Sequence, residues 1–252
     1  MSKKTAIEWS KLDFAGFARL ARDESLSKYE KIGFPDAYRA GFEEAIFADI
    51  QSKLPRLGGE RELKVLDIGP GCSDLPHMLI ALCKAQNHRL YLIDSDEMLQ
   101  QLPDAEFIEK RPGLFPRDSE SVSDLVGQID VMICYSVLHY VFVDANPFNF
   151  VDLSVELLAS GGEFLIGDIP NVSKRRRFFS SEAGVAFHRS FTKTDTLPEV
   201  EFNVPVPSVI DDAAVLGLVS RARAAGADAY IMAQPPSLPM SNRREDIVLR
   251  RP

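Results

Sequence analysis

A turn with two glycines and flanking acidic residues is the strongest chemical signal in the chain. Residues 65–74 read Val-Leu-Asp-Ile-Gly-Pro-Gly-Cys-Ser-Asp, so a short apolar run ends at Gly69, Pro70 and Gly71. A chain that turns sharply after a buried strand, and lets a ligand approach its backbone, needs residues without a Cβ atom. Gly69 and Gly71 meet that need. The pattern predicts a ligand-binding loop between a strand and a helix.

The acidic residues near this loop indicate what the ligand looks like. A dinucleotide enzyme usually has a third glycine, so that a pyrophosphate can lie on the helix start, but Ser73 occupies that place. Asp67 is poorly placed beside a pyrophosphate and well placed to accept a hydrogen bond from an ammonium group or a bridging water. Asp94 ends the next strand, where a carboxylate can bind both hydroxyls of a ribose. A ligand with an amino-acid head and a ribose satisfies both carboxylates.

The elements around the loop predict an α/β fold. Short apolar strands are expected at 63–68, 90–93, 106–109, 129–134 and 163–168, with helices at 75–85, 146–159 and 211–225. This alternation implies crossover units on a mainly parallel sheet. Two last strands, at 229–234 and 246–250, are separated only by a proline-rich turn. The sequence therefore predicts seven strands with an antiparallel last strand.

Two segments stand outside this alternation. Apolar residues four apart predict a helix at 36–54, and 7–29 is expected to be further helix, so residues 1–60 form an N-terminal helical extension or cap. The main domain is then 61–252. Within it, 171–208 is a long insertion between the fifth strand and its helix. Connections of that length are uncommon unless they cover a site, so we expect a substrate lid there.

The motifs resemble those of the class I S-adenosylmethionine-dependent methyltransferases, which have a Rossmann-like three-layer sandwich. The resemblance spans residues 63–250 and depends on 67–71, on 92–99, and on 129–132 followed by 135–140. Residues 110–113 carry none of the acidic pattern expected after the third strand. The resemblance implies S-adenosyl-L-methionine as the cofactor. It assigns cofactor contacts to Asp67, Gly69, Pro70, Gly71, Asp94, Ser95, Tyr135 and Ser136.

Candidate catalytic residues lie at the ends of two strands. Methyl transfer from a sulfonium is an in-line displacement, so alignment of the reactants lowers the barrier. A general base is needed when the acceptor holds its proton tightly, as an alcohol does. His139 follows the fourth strand and is the first candidate, with packing or capping of a turn as its alternative. Asp168 ends the fifth strand and is a candidate base or acceptor-orienting group, unless it only caps a turn. For His188, in the insertion, a surface role is favoured.

Basic and aromatic residues suggest where the acceptor binds. Residues 174–177 are a dense basic run in an acidic chain. Guanidinium groups bind phosphate or carboxylate bidentately, although charge runs more often form solvated faces. The candidate acceptor contacts are Tyr29, Tyr38, Arg39, Tyr140, Arg175 and Arg176. We expect a small-molecule acceptor, methylated on an oxygen of a sugar or an anionic metabolite.

Composition narrows the partners and the location. The formal net charge of −8, with 29 Lys and Arg against 37 Asp and Glu, counts against nucleic acid. The three cysteines show neither a disulfide framework nor a metal-ligand spacing. No apolar run approaches the roughly 20 residues of a membrane-spanning helix. We expect a cytoplasmic protein without a metal or a membrane partner, and an oligomer is compatible with the sequence.

Three other functions remain open at this point. RNA methylation would use the same cofactor but expects a basic face or an added RNA-binding module. A nicotinamide-dependent oxidoreductase would bind a pyrophosphate at the glycine loop, and both Asp67 and the missing third glycine argue against it. A non-catalytic relative would bind the cofactor, or a protein partner through the long insertion.

Overall fold

A seven-stranded sheet forms the centre of the molecule, and the computed structural model describes residues 12–252. The strands are β1 Lys64–Ile68, β2 Arg89–Asp94, β3 Ile108–Pro112, β4 Ile129–Tyr135, β5 Leu158–Pro170, β6 Asp228–Ala233 and β7 Arg244–Arg250. Their order is β3-β2-β1-β4-β5-β7-β6. Strands β1 to β5 pair in parallel, whereas β7 runs antiparallel to both β5 and β6. The predicted α/β fold with a reversed last strand is confirmed, because the short turn after β6 leaves no room for a crossover helix.

Helices cover both faces of this sheet. They are α1 Phe14–Arg22, α2 Lys28–Lys31, α3 Glu43–Lys53, α4 Pro55–Gly59, α5 Asp74–Gln86, α6 Asp96–Leu99, α7 Leu138–Asp144, α8 Pro147–Leu157, α9 Val172–Phe179, α10 Glu182–Thr192 and α11 Asp212–Ala224. Short 3-10 helices occur at Asp36–Tyr38, Ser119–Leu125 and Ser241–Arg243. Within residues 12–252, none of the helices has the length and apolarity that crossing a membrane requires.

Alternating side chains along the strands build one core on each face. In β4, Met132 and Cys134 pack in the cluster that contains Phe150 of α8. Ile133, between them, packs in the opposite cluster with Ile50 of α3. Because both faces are covered, the strands are apolar almost throughout and polar residues collect at their ends. The carboxyl ends of the parallel strands are therefore the natural place for a site.

The N-terminal extension differs in detail from the prediction. The helix expected at 36–54 is interrupted: a 3-10 turn at Asp36–Tyr38 is followed by an irregular stretch, and α3 begins at Glu43. Gly41 adopts a φ of +84°, which breaks the helical path. The break turns Arg39 into the interior, where it is 6% exposed. The helix expected at 7–29 is split into α1 and α2, and residues 7–11 lie outside the described residues.

The observed bounds of two strands, β3 and β5, also differ from the predicted ones. The third strand was expected at 106–109 and lies at Ile108–Pro112. In this outer strand Arg111 donates to Glu109 and Asp124. Because the strand carries charged residues, a search for apolar runs does not predict its bounds. The helix expected at 146–159 ends at Leu157, and the chain continues directly into β5.

The expected insertion contains α9 and α10, and Asn171 caps α9 by accepting from the backbone amides of Ser173 and Lys174.

A buried ion network attaches the extension to the sheet. Lys53 of α3 donates to Asp49 at 2.5 Å and to Asp246 of β7 at 2.6 Å. The other oxygen of Asp246 accepts the backbone N–H of Asp168 at 2.8 Å. Removing one member of such a network leaves a buried charge without its partner. The network therefore links the position of α3 to that of Asp168, at the end of β5.

Candidate functional site

The cavity that contains the glycine turn, named the main cavity for that reason, lies at the carboxyl ends of β1, β2 and β4, beneath the N-terminal extension. It encloses about 880 Å³, including its open mouth. Its wall contains the turn after β1, the end of β2 with Asp94, and the end of β4 with Tyr135. Residues of α1 and of the segment after α2 form its roof. The cavity is where the sequence placed the ligand-binding loop.

The two loop glycines are required by local geometry. Gly69 has a φ of +71°, and a Cβ added there would lie 2.6 Å from a methyl carbon of Val137. Gly71 has a φ of +65°, and its added Cβ would lie 2.7 Å from a methyl carbon of Ile32. Left-handed backbone and close packing both exclude larger residues. Ser73 stands at the cap of α5, 5% exposed, so a third glycine is not needed for the turn.

Two acidic side chains lie beside this loop. Asp94 accepts the backbone N–H of Gly71 at 3.1 Å and that of Ser95 at 2.7 Å. Burial raises its pKa to about 6, against the effect of these two hydrogen bonds. Asp67 lies under the loop in a small cavity of about 310 Å³, shared with Gly69 and Tyr135. Burial, with a contribution from Asp94, raises the Asp67 pKa to about 8. Neither carboxyl group forms an ion pair with any of residues 12–252, so the pair fits a ligand that brings a positive charge.

The far end of the main cavity is apolar. Ile93, Met98, Leu114 and Phe115 line it, close to the end of β3. The basic residue Arg111 points away, to Glu109 and Asp124. The segment after β3 therefore contributes apolar contacts in place of an acidic residue, and a planar base fits there. Glycine turn, carboxylates and apolar end together fit S-adenosyl-L-methionine.

The roof of the cavity is held by specific contacts. The ring of Phe17 in α1 packs edge-to-face on Tyr140, with centroids 4.9 Å apart. Lys28 forms an ion pair with Asp74 at 2.5 Å, and the Tyr29 hydroxyl donates to the same carboxylate at 3.2 Å. Tyr29 thus attaches the extension to the start of α5 and does not line the cavity.

Arg39, Ser136 and Asp168 form a buried polar cluster between the strand ends. The Arg39 guanidinium donates to the Ser136 hydroxyl and, at 3.2 Å, to Asp168, while the Ser136 hydroxyl donates to Asp168. Arg39 stacks over Phe34, with its Cζ 4.3 Å from the ring centroid. Its Nε is buried without a partner among the described residues. Arg39 and Ser136 both line the main cavity.

The environment of Asp168 keeps it ionised. Burial alone would raise the pKa of its carboxyl, but Arg244, Arg39 and the Ser136 hydroxyl outweigh burial and bring the pKa below the usual value. Its backbone is left-handed, with a φ of +57°. A carboxylate stabilised by two guanidinium groups is a weak proton acceptor. Of the two roles considered for Asp168, orientation of neighbouring groups is therefore the better supported.

A second cavity, of about 1160 Å³, adjoins the first at the ends of β4 and β5. Tyr140 lines both cavities, and His139 lines the second. The His139 Nδ1 is buried and has no hydrogen-bond partner among the described residues. Burial, assisted by the charge of Arg244, lowers its pKa to about 4, so the imidazole is neutral near pH 7. A neutral ring with a free nitrogen can accept a proton.

The structure brings together most, but not all, of the residues singled out from the sequence. The main cavity contains Arg39, Gly69, Pro70, Gly71, Asp94, Tyr135, Ser136 and Tyr140, and the second contains His139, Tyr140 and Arg175. Ser95 caps α6 by accepting the Met98 amide. Arg176 donates to the Val204 carbonyl at 2.7 Å. Neither cavity is lined by Ser95, Arg176, Tyr38 or His188.

Several cavity residues were not found from the sequence. Phe17 and Ile32 form part of the roof, and Arg243 and Arg244 line the second cavity. The arginine pair directly before the last apolar strand was a visible signal, since the carboxyl-end edge was already the expected site. For Ile32 the sequence contains no such signal, because its contact with Gly71 forms only when the chain folds.

Comparisons with known proteins agree with this fold. No protein-family model matches the chain, and no curated protein sequence matches it. A chain from the complex of the Haloferax volcanii Trm112 methyltransferase activator with a methyltransferase is 16% identical, with a TM-score of 0.56, covering 94% of this chain and 97% of that one.

Two further solved structures are similar. The CurJ carbon methyltransferase is 13% identical with a TM-score of 0.57, over 94% of this chain and 64% of that one. A SAM-dependent methyltransferase from Aquifex aeolicus is 15% identical with a TM-score of 0.51, over 88% and 96% of the two chains. At these identities the similarity concerns the fold. The chain has the Rossmann-like fold of the class I S-adenosylmethionine-dependent methyltransferases.

Proposed function

We propose that the protein transfers a methyl group from S-adenosyl-L-methionine to a small molecule. The observation that carries this proposal is the left-handed glycine turn at the end of β1 beside Asp67 and Asp94, two carboxyl groups whose pKa values burial raises. When bound, the cofactor supplies a methyl group on a positively charged sulfur, and its transfer leaves a neutral thioether.

The residues of the main cavity have distinct roles in this proposal. Asp94 binds the ribose hydroxyls, and Asp67 binds the ammonium group directly or through a water. Arg39 offers its free Nε to the carboxylate of the methionine part, while it also holds Ser136 and Asp168 in place. The roof formed by α1 and the segment after α2 excludes water. Removing water from the cavity strengthens each of these polar contacts.

The second cavity is the proposed acceptor site, with residues 171–208 as its outer wall. We propose a hydroxyl acceptor, in a sugar or an anionic metabolite. His139 accepts the hydroxyl proton as the oxygen attacks, and the ionised Asp168 stabilises the imidazolium that forms. With its pKa lowered to about 4, His139 is a weak base in the empty site, and general-base catalysis is most efficient when the pKa lies near the working pH, so the nearby carboxylate of Asp168 is needed to favour the protonated ring. The three buried cysteines are free thiols, which supports a reducing, cytoplasmic location as part of the proposal.

Calorimetric titration with S-adenosylmethionine, S-adenosylhomocysteine and NAD tests the cofactor. We expect micromolar binding of the first two and no binding of NAD. Binding of NAD alone would refute the proposal. If the cofactor binds, hydroxyl acceptors with and without acidic groups are tested for methyl transfer. Cofactor binding without transfer to any acceptor, in a broad metabolite screen, would favour a non-catalytic relative.

A further inference from the structure

Two arginines in the second cavity are held in place without a carboxylate partner. Arg175 of α9 lies over Phe179, with its Cζ 5.1 Å from the ring centroid, and Arg243 lies over Phe187 at 6.0 Å. The two rings are themselves in edge contact, with centroids 6.1 Å apart. Among residues 12–252 neither guanidinium forms an ion pair. Stacking fixes the plane of a guanidinium and leaves its N–H groups free for a ligand.

The surrounding charges leave this part of the cavity positive. Arg244 contacts Asp168 at 3.8 Å and shares that carboxylate with Arg39. Of the described residues that line the second cavity, Asp144 alone has a carboxylate, and it is exposed. The pKa of Arg243 is lowered by burial and by the nearby charges of Arg244 and Arg175, with Tyr38 acting in the opposite direction. Repulsion between these cations disfavours the empty arrangement, and a bound anion would relieve it.

We propose, on the basis of the methyltransferase function above, that the acceptor carries an oxyanion, either a phosphate monoester or a carboxylate, bound by Arg175 and Arg243. The fork of a guanidinium matches two oxygens of either group. His139 lines the same cavity, and its Nδ1 has no hydrogen-bond partner among the described residues. Bound through its acidic group, the acceptor presents its hydroxyl to His139 and, past Tyr140, to the main cavity.

The site also links acceptor binding to catalysis. His139 is kept neutral by burial and by the charge of Arg244. An anion in the cavity offsets the arginine charges, so it raises the His139 pKa and makes the ring a better base. A neutral acceptor has no such effect. The cavity therefore favours anionic acceptors both in binding and in turnover.

Binding of inorganic phosphate and of acetate to the whole protein, without cofactor, tests the site. We compare wild type with Arg175→Gln and Arg243→Gln, and use Arg189→Gln as the control. Arg189 is an exposed residue of α10 outside the cavity, so its substitution removes the same charge from the same region. The second measurement is the pKa of His139, determined by NMR with and without the anion.

We expect phosphate or acetate to bind wild type and the control equally, and to bind each cavity variant roughly tenfold or more weakly, as for loss of a charge-assisted contact. The anion should raise the His139 pKa in wild type and in the control. Equal binding by all four proteins, or no binding, would overturn the inference. Titration with S-adenosylmethionine is independent of these arginines, so failure of the anion site and failure of the cofactor proposal are distinguishable.

A comparison of methyl acceptors then shows which acidic group the two arginines bind. Hydroxyl compounds with a phosphate ester, with a carboxylate and with neither are compared at equal concentration. Methylation of the phosphorylated or of the carboxylated set, with KM raised in Arg243→Gln and unchanged in Arg189→Gln, supports the inference and names the group. Methylation of the neutral set alone refutes it while leaving the methyltransferase function intact.

Discussion

Replacing Gly69 with alanine separates two reasons why the loop needs glycine. The added Cβ would lie 2.6 Å from a methyl carbon of Val137, at a residue with a φ of +71°. Gly161 provides a matched control, because its φ is +75° and an added Cβ would meet no atom within 4 Å. Both substitutions place alanine in a left-handed conformation. Only Gly69→Ala also forces atoms into contact.

Backbone strain and overpacking contribute separately to the expected loss of stability. Left-handed backbone costs an alanine about 1 to 2 kcal/mol, which is the full expected loss for Gly161→Ala. Overpacking against Val137 adds about 1 to 3 kcal/mol. We therefore expect Gly69→Ala to lower the free energy of unfolding by about 2 to 5 kcal/mol. The displaced loop should also weaken S-adenosylmethionine binding, whereas Gly161→Ala should leave it unchanged.

Urea unfolding and cofactor titration measure these effects. Val137→Ala, combined with Gly69→Ala, removes the two methyl carbons nearest the added Cβ and leaves the backbone strain. The double variant should be more stable than the sum of the single losses predicts, by about 1 to 3 kcal/mol. Equal losses for Gly69→Ala and Gly161→Ala, or additive effects in the double variant, would refute the steric argument.

Three further predictions concern charge. Asp94→Ala should weaken S-adenosylmethionine binding in calorimetry, whereas His139→Ala should spare binding and reduce turnover; normal binding by both would show that the ribose does not lie at Asp94. The Asp67 carboxyl has its pKa raised from its ordinary value to about 8, so the folded state holds its proton more tightly and stability falls as pH rises from about 4 to 8. Asp67→Asn should therefore raise the urea midpoint at pH 8 relative to wild type while weakening the cofactor, and a lower midpoint would contradict the raised pKa. Lys53→Ala leaves two buried carboxylates without their cation and should cost about 3 to 5 kcal/mol in urea unfolding. Arg221→Ala, which breaks an exposed ion pair, should change stability little, and equal losses would refute the role of burial.

The sequence by itself determined the sheet and the glycine turn after β1. Short apolar runs and the glycines after β1 are local signals, because strand formation and a left-handed turn depend on residues close together in the chain. The reversed last strand also followed from a local fact, the shortness of the turn after β6. The position of Asp94 beside the glycine turn could be predicted because the end of a parallel strand has a fixed place at the sheet edge.

The tertiary structure decided which side chains meet in the second cavity. The basic run at 174–177 is uniform in sequence, yet Arg175 enters the cavity, Arg176 binds a carbonyl and Arg177 pairs with Asp212. Arg243 reaches the same cavity from the far end of the chain. Arg39 was expected on a continuous helix and instead lies buried against Asp168. A sequence pattern records the period of one segment, whereas a cavity is made by surfaces of segments that are distant in the chain and meet only when the core is packed.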